Sequence, residues 1–236
     1  MKRCALFLFL VAIGTAQPAP EVEITAEPRH HQVLVNDQVR VFNVDVPAHS
    51  DTLMHWHRHD YIYVTLGTTK VVNAVKGKDP VSITLADGDT RFLPATFAHI
   101  ARNLDDHPFK NVTIELLQDE KLRQSTAKWD EDRGLDILTG GTKEILFVKD
   151  GVRASEFELQ PNAAVPGGSH PHPMLLVALT DSDLYTQDPR SHDSHTAIPP
   201  ATHFKTGDSA WLPLGFRQPI VNASPHVAKF VTLEFP

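Results

Sequence analysis

The sequence predicts an all-β protein that contains two similar halves. Short apolar segments recur along the chain, among them residues 61–66, 81–85 and 112–117, and turn residues separate them. Alternation of apolar and polar residues, as around the Asn36-Asp37 turn, is typical of strands with one buried face. Many short strands divided by turns indicate a β-sandwich or a β-barrel.

The second half of the sequence repeats the first. VKDGVRASEFELQP, from Val148, corresponds to VNDQVRVFNVDVP, from Val35, at an offset of 113 residues. GDSAWLPLGFRQPIVN, from Gly207, corresponds to GDTRFLPATFAHIARN, from Gly88, at an offset of 119 residues. Matches in chain order with so little drift in offset indicate an internal duplication. We therefore predict two domains of the same fold in tandem.

Histidine is unusually frequent, with 14 copies, and three of them lie in MHWHRHDYIYVTLG. In one continuous strand, His55, His57, His59, Tyr61 and Tyr63 would share a face. Two imidazoles at positions i and i+2 can bind one metal ion, and neutral imidazole suits zinc, iron, copper and nickel. The pair therefore predicts a metal site that needs at least one further ligand.

The second stretch, GDTRFLPATFAHIARN, supplies that candidate ligand in His99. Together the two stretches resemble the two motifs of the cupin superfamily, a His-x-His pair followed by Glu and then G-x5-P-x-G-x2-H-x3-N. The matching residues of the second motif are Gly88, Pro94, His99 and Asn103. Two positions depart from the pattern: Tyr61 or Ile62 stands where the family usually has Glu, and Thr96 replaces the glycine after the proline.

The resemblance implies two tandem cupin-like barrels, of the double-stranded β-helix or jelly-roll type, with a three-histidine metal site in the first. The cofactor implied is a divalent transition metal: iron, zinc, manganese or nickel. A dioxygenase-like reaction, or an isomerase or lyase reaction, on a small organic substrate would fit such a site. The alternative is a non-enzymatic cupin that binds a small ligand, such as a sugar or an organic acid, with a structural metal or none.

Three further side chains are candidates at this site. We predict that His59 either ligates the metal directly or orients a ligand by a hydrogen bond. Tyr61 and Tyr63 are predicted to line the barrel, where a phenol can donate a hydrogen bond to a substrate or act as acid or base. These two tyrosines are the candidate catalytic residues.

The second half lacks part of this set. His170 and His172 repeat the His-x-His pair at an offset of 115 residues, but Gln218 occupies the position of His99. An amide oxygen is a poor transition-metal ligand beside imidazole. We therefore predict that the second barrel carries a degraded site.

The N-terminus predicts export. Lys2 and Arg3 precede an apolar run over residues 4–13, and small residues end at Ala16, which is the pattern of a cleaved secretory signal peptide. We expect cleavage near Ala16 and a periplasmic or secreted protein with no membrane association afterwards. Cleavage would also remove Cys4, the one cysteine, so the mature chain would contain no disulfide and no thiolate ligand.

The predicted organisation is a signal peptide over residues 1–16, a first cupin domain over 17–118, a linker over 119–143 and a second cupin domain over 144–236. The formal charge of -7 argues against nucleic acid as a partner. The predicted partner is a small-molecule substrate or ligand, and the sequence leaves a homo-oligomer open.

Overall fold

The computed structural model describes residues 20–125, 129, 132–167, 172–185 and 201–236. They form two β-barrels in tandem, each made of two sheets, so the predicted all-β fold is confirmed. The predicted signal peptide lies outside the described residues. None of the helices in the described ranges has the length and apolar character needed to cross a membrane.

The first barrel contains ten strands. They are β1 (Val22–Glu23), β2 (His30–Val35), β3 (Val39–Val46), β4 (His55–His57), β5 (Tyr61–Leu66), β6 (Thr69–Val75), β7 (Val81–Leu85), β8 (Thr90–Leu93), β9 (Phe97–Asn103) and β10 (Phe109–Leu116). One sheet has the strand order β1-β4-β9-β6-β7, and the other has the order β2-β3-β10-β5-β8. A single 3-10 turn (Ile24–Ala26) connects β1 to β2.

The hairpin predicted at Asn36-Asp37 joins β2 to β3. The side-chain Oδ1 of Asn36 accepts hydrogen bonds from the backbone N–H groups of Gln38 and Val39, each at 2.9 Å. Asparagine is favoured in turns because its short side chain can satisfy nearby backbone donors in this way. The local sequence therefore fixes where the chain reverses.

The predicted linker contains regular structure. It begins with α1 (Asp119–Arg123), and it ends in β11 (Gly134–Leu138) and the start of β12 (Gly141–Lys149), which pair antiparallel. Two of the three large apolar residues of β11, Leu135 and Ile137, are 61% and 77% exposed. A short edge strand with exposed apolar residues resembles a loop in sequence, which explains why this strand was not predicted.

The second barrel contains the remaining strands. They are β11, β12, β13 (Val152–Leu159), β14 (Ala164–Val165), β15 (Met174–Ala178), β16 (Ser182–Tyr185), β17 (Thr202–Phe204), β18 (Ser209–Leu212), β19 (Ile220–Asn222) and β20 (Ala228–Glu234). Its sheets have the orders β11-β12-β13-β20-β15-β18 and β14-β19-β16-β17. β3 and β13 span residues that differ by 113 positions, as the predicted duplication requires.

A matched pair of asparagines supports the same duplication. In the first barrel, Asn103 Nδ2 donates to the backbone oxygen of His107 at 2.7 Å and to that of Val46 at 3.1 Å. In the second barrel, Asn222 Nδ2 donates to the backbone oxygens of His226 and Leu159 at 2.8 and 3.0 Å. Each asparagine therefore ties the end of its own strand to an equivalent loop and strand.

The two barrels pack face to face through one continuous apolar layer. Most of its buried members from the first barrel lie on β3, β5 and β10, and most of those from the second lie on β13, β15 and β20. Examples are Val41, Ile62 and Ile114 on one side and Leu175 and Leu233 on the other. The second barrel contains a further apolar cluster that includes Phe157 and Phe230. The first barrel also contains an apolar cluster, which includes Phe42 and Phe109, and a cavity beside it.

Candidate metal centre

Strand register brings the three predicted histidines together. β4 pairs antiparallel with β9, and His55 lies directly opposite His99 in this pair. Opposed residues of antiparallel strands project from the same face with their Cβ atoms about 5 Å apart. His57, two residues beyond His55, projects from that face as well, whereas Trp56 projects from the other. Alternation along one strand and pairing with the next therefore produce the cluster.

The three imidazoles converge on one point. The Nε2 atom of His99 lies 3.1 Å from Nε2 of His55 and 3.2 Å from Nε2 of His57. All three ligand atoms lie within 4.8 Å of one another. Two imidazole nitrogens that bind one ion at about 2.1 Å lie roughly 3.0 to 3.4 Å apart at coordination angles between 90° and 109°. The spacing of the three nitrogens therefore fits a shared metal ion.

Hydrogen bonds fix which ring nitrogens face the centre. The Nδ1–H of His55 donates to the backbone oxygen of Leu53 at 2.9 Å, and the Nδ1–H of His99 donates to Oδ1 of Asn73 at 2.7 Å. The Nε2 atoms of these two rings consequently carry lone pairs that face each other at 3.1 Å. Two opposed lone pairs repel unless a cation lies between them. The donor set therefore fits a metal, and such outer hydrogen bonds are typical of metal-binding histidines.

The environment keeps these imidazoles in the neutral form that binds metals. Burial and the neighbouring His30 lower the pKa of His55 to about 4. Burial and the adjacent histidines also lower the pKa of His57 and of His99 well below the usual value. The Nδ1 atom of His57 is buried without a hydrogen-bond partner among the described residues.

The structure places His59 apart from the other three histidines. The predicted continuous strand ends at His57, and the chain crosses to the other sheet before β5 begins at Tyr61. His59 lies in this connection, where its Nδ1 is 3.6 Å from Oδ2 of Asp119 and its side chain is 34% exposed. His59 is therefore not positioned to ligate a metal at the cluster, and it lies beside α1 instead.

Both predicted tyrosines line the cavity beside the histidines. The ring of Tyr61 stacks on the ring of His57 with 4.0 Å between centroids. Burial raises the pKa of Tyr61 far above its usual value, and burial also raises the pKa of Tyr63. Both phenols therefore keep their protons near neutral pH. In this state they can donate hydrogen bonds to a bound molecule.

The cavity itself is small and mostly apolar. Its volume is about 90 Å³, and the histidine cluster forms part of its wall. The polar residues of the remaining wall are His30, Thr52, Asn73, Asn111 and Thr113, and the apolar ones include Val44, Val71, Ile83, Leu85 and Phe109. A cavity of this size beside a metal centre suits a small organic molecule.

Sequence analysis missed one pair of residues at this cavity, His30 and Glu27. His30 lines the cavity, and its ring centroid lies 4.6 Å from that of His55. Its Nδ1 lies 2.6 Å from Oε2 of Glu27, whose side chain is fully buried. Their spacing matches no motif, and a buried carboxylate beside a histidine becomes visible only when β2 is placed against the barrel.

The described part of the second barrel contains no equivalent histidine cluster. Gln218 is exposed and precedes β19, whereas its counterpart His99 lies inside β9. His172 packs against Trp129, with ring centroids 4.6 Å apart, and His170 lies outside the described residues. Met174 and Leu176 occupy the strand positions that correspond to Tyr61 and Tyr63. Because His170 lies outside the described residues, the degraded second site stays a prediction.

Comparison with solved structures identifies the fold. Oxalate decarboxylase of Bacillus subtilis superposes with a TM-score of 0.59 over 84% of this chain and 69% of that chain, at 10% identity. AerE from Microcystis aeruginosa gives 0.58 over 89% and 98%, at 11% identity. A cupin 2 conserved barrel domain protein from Leptotrichia buccalis gives 0.52 over 88% of each chain, at 12% identity. No family model and no curated protein sequence matches the chain.

The chain therefore shares the fold of these cupin structures, and its first barrel contains three histidines that could hold a metal ion. More particularly, the chain has the bicupin fold, with a three-histidine centre in its first barrel. The manganese(II) centres named for the Bacillus subtilis oxalate decarboxylase belong to that protein. For this chain, the support for a divalent metal is the cluster of three histidines.

Proposed function

We propose that the protein is a metal-dependent cupin enzyme that acts on a small organic substrate in its first barrel. The observation that carries the proposal is the convergence of His55, His57 and His99 on the wall of an internal cavity. These three residues would hold a divalent transition metal. The cavity would hold the substrate next to it.

The number of ligands favours catalysis over a structural metal. The described residues offer three converging side chains, and His59 is turned towards Asp119. Structural sites are usually closed by four protein ligands, whereas catalytic sites keep at least one position open. Three neutral ligands beside a cavity therefore support an enzyme more strongly than a binding protein with a structural metal.

The chain's own residues would bind and shield the substrate. A metal at this site supplies Lewis acidity and, in the case of iron, access to oxygen chemistry. Tyr61 and Tyr63 present phenol groups that donate hydrogen bonds, and the apolar wall excludes water. Dioxygenase-like chemistry fits iron, whereas isomerase or lyase chemistry fits zinc, manganese or nickel. The identity of the bound metal distinguishes these classes.

Elemental analysis of the purified protein tests the proposal. The wild type should carry close to one equivalent of a transition metal, and His99→Ala should retain less than about a tenth, because two nitrogens cannot hold the ion tightly. His107→Ala is the matched control, since this histidine is exposed in the same barrel. A metal-free wild type, or a metal content unaffected by His99→Ala, would contradict the proposal.

We also propose that the protein is exported. The support is the basic, then apolar, then small-residue pattern that ends at Ala16. N-terminal sequencing of protein recovered outside the cytoplasm should begin close to Gln17. A full-length chain retained in the cytoplasm would contradict export without affecting the proposed chemistry.

A further inference from the structure

A second cavity lies inside the second barrel. Its volume is about 250 Å³, and much of its wall is apolar, with contributions from both sheets such as Phe157, Met174 and Ile220. None of the described residues that line it is a histidine or a cysteine. The chemistry of this wall therefore fits an organic ligand better than a transition metal.

Lys143 projects into this cavity. In the antiparallel pair of β12 and β13, Lys143 lies directly opposite Phe157, so both side chains project from the inner face of the barrel. The equivalent pair in the first barrel is His30 and Val44, 113 residues earlier, and both of these line the first cavity. The second barrel therefore has a lysine where the first barrel has His30.

The positive charge of Lys143 has no partner among the described residues of the wall. The side chain is partly buried, and no described carboxylate forms an ion pair with it. Of the two acids in the wall, Glu234 already pairs with Arg153, from Oε2 to Nε at 2.6 Å, and Asp136 is exposed to solvent on the edge strand β11. An ammonium group beside apolar side chains is costly to leave unpaired, so this wall favours an anionic ligand.

Thr232 adds a hydroxyl group to the same wall. The residue is 3% exposed, and the described residues provide no hydrogen-bond partner for its hydroxyl. Thr113, its counterpart 119 residues earlier, donates instead to Oδ1 of Asn111 at 2.7 Å. Phe230 stands at the position of that asparagine in the second barrel, so the acceptor is missing there. The hydroxyl of Thr232 can therefore donate to a ligand.

We propose that the second barrel binds a small organic carboxylate, with the anionic group at Lys143 and Thr232. The apolar body of the ligand packs against the apolar wall. This wall separates the proposed ligand class from inorganic anions such as phosphate, which have no apolar surface to bury. The inference goes beyond the proposed function, because none of these residues belongs to the first barrel and no metal takes part.

The methionines of the chain allow binding to be assigned to one barrel. Apart from Met1, the chain contains Met54, which precedes His55 of the metal cluster, and Met174, which lines the second cavity. Protein labelled with carbon-13 at its methionine methyl groups can be titrated with benzoate and followed by NMR. The Met174 resonance, assigned with Met174→Leu, should move because an aromatic ring enters its cavity. Movement of Met54 alone would place benzoate in the first barrel and overturn the inference.

Variants and a neutral probe test the role of the charge. In Lys143→Gln the dissociation constant for benzoate should rise about tenfold or more, the loss of one charge-assisted hydrogen bond. The dissociation constant for benzamide, a neutral molecule of almost the same shape, should stay within about twofold. Lys143→Arg, which keeps the charge, should retain most of the benzoate affinity, and Thr232→Val should weaken it about threefold. Lys205→Gln is the matched control, since Lys205 is an exposed lysine of the same barrel.

The wild type alone can decide the inference if Lys143→Gln does not fold. Wild-type protein that binds benzamide as tightly as benzoate would overturn the role of the charge, and inorganic phosphate that competes as well as benzoate would overturn the role of the apolar wall. Unchanged benzoate affinity in a folded Lys143→Gln would overturn the inference too. His99→Ala should leave the benzoate titration of Met174 unchanged, so this inference and the proposed function can fail separately.

Discussion

Replacing Thr96 with glycine should stabilise the protein. Thr96 has a φ angle of 73°, in the left-handed region that β-branched residues rarely adopt. It is the residue that departs from the glycine of the cupin motif. Its side chain is exposed, and its backbone N–H donates to the carbonyl oxygen of His57 at 2.9 Å, a bond that glycine would keep. The substitution therefore removes strain without removing packing.

The expected gain is the difference between two terms. The left-handed conformation costs a residue with a side chain roughly 1–2 kcal/mol relative to glycine. Glycine loses about 0.5–1 kcal/mol more conformational freedom on folding. The net stabilisation is therefore about 0.5–1 kcal/mol. In a chain of this size it corresponds to a rise in Tm of about 1–4 °C.

The second barrel supplies the reverse experiment. Gly215 occupies the equivalent position at an offset of 119 residues, and its φ angle is 79°. A Cβ atom added to Gly215 would meet nothing within 4 Å, so Gly215→Thr introduces backbone strain alone. Circular dichroism should show Tm rising in Thr96→Gly and falling by a similar amount in Gly215→Thr, at equal metal content. A lower Tm in Thr96→Gly, or no change in Gly215→Thr, would refute the reasoning.

Three further predictions concern metal, scaffold and pH. Removal of the metal by a chelator should lower the wild-type Tm by about 5 °C or more, because a metal at 100 times its Kd stabilises the folded state by about 2.7 kcal/mol. Calorimetry should find no such change in His99→Ala. Asn103→Ala and Asn222→Ala should each lower the free energy of unfolding by about 2–4 kcal/mol in chemical denaturation, because each substitution leaves buried carbonyl groups without a hydrogen-bond donor. A neutral result for either variant would contradict the equivalence of the two asparagines. Burial raises the pKa of Glu27, but hydrogen bonds from His30 and two backbone N–H groups outweigh it and lower that pKa. Its stabilising effect should be complete above the ordinary carboxyl pKa and be lost as pH falls through the lowered value, so Glu27→Gln should flatten the acid side of a Tm–pH curve, and an unchanged slope would count against this role.

Local sequence was sufficient for the metal cluster but not for the connection after it. Spacing within two short motifs identified His55, His57 and His99, because strand alternation and the pairing of β4 with β9 bring them together. The turn that directs His59 away from the histidine cluster depends on contacts between Asp60 and residues far from it in sequence. This buried carboxylate accepts from the backbone N–H of Ala95 at 2.6 Å and pairs with Arg123. Interactions across 35 and 63 residues leave no periodic signal in the stretch that they bend.

Glu27 and His30 could not be identified from the sequence for a related reason. Their own spacing of three residues matches no metal or catalytic pattern, and β2 looks like an ordinary edge strand. Their importance arises because the backbone at Leu53 reaches Glu27 and because the rings of His30 and His55 come into contact. Burial of a carboxylate is a tertiary property. It can be inferred only when the barrel that covers the side chain is known.

Comparison of the two halves of the chain separates scaffold from chemistry. The recurring interactions hold strands together: Asn103 and Asn222 in their loops, and the ion pairs Arg40–Glu115 and Arg153–Glu234 between equivalent strands. The positions that differ face the barrel interior, where Met174 and Leu176 stand in place of Tyr61 and Tyr63. The cavity of the first barrel is lined in part by histidines and tyrosines, whereas the corresponding pocket of the second barrel is lined by residues such as Phe157, Met174 and Ile220. Among the described residues, the same fold therefore forms with the histidine cluster in one barrel and without an equivalent cluster in the other, so the barrel topology by itself does not require the histidines and tyrosines of the first barrel.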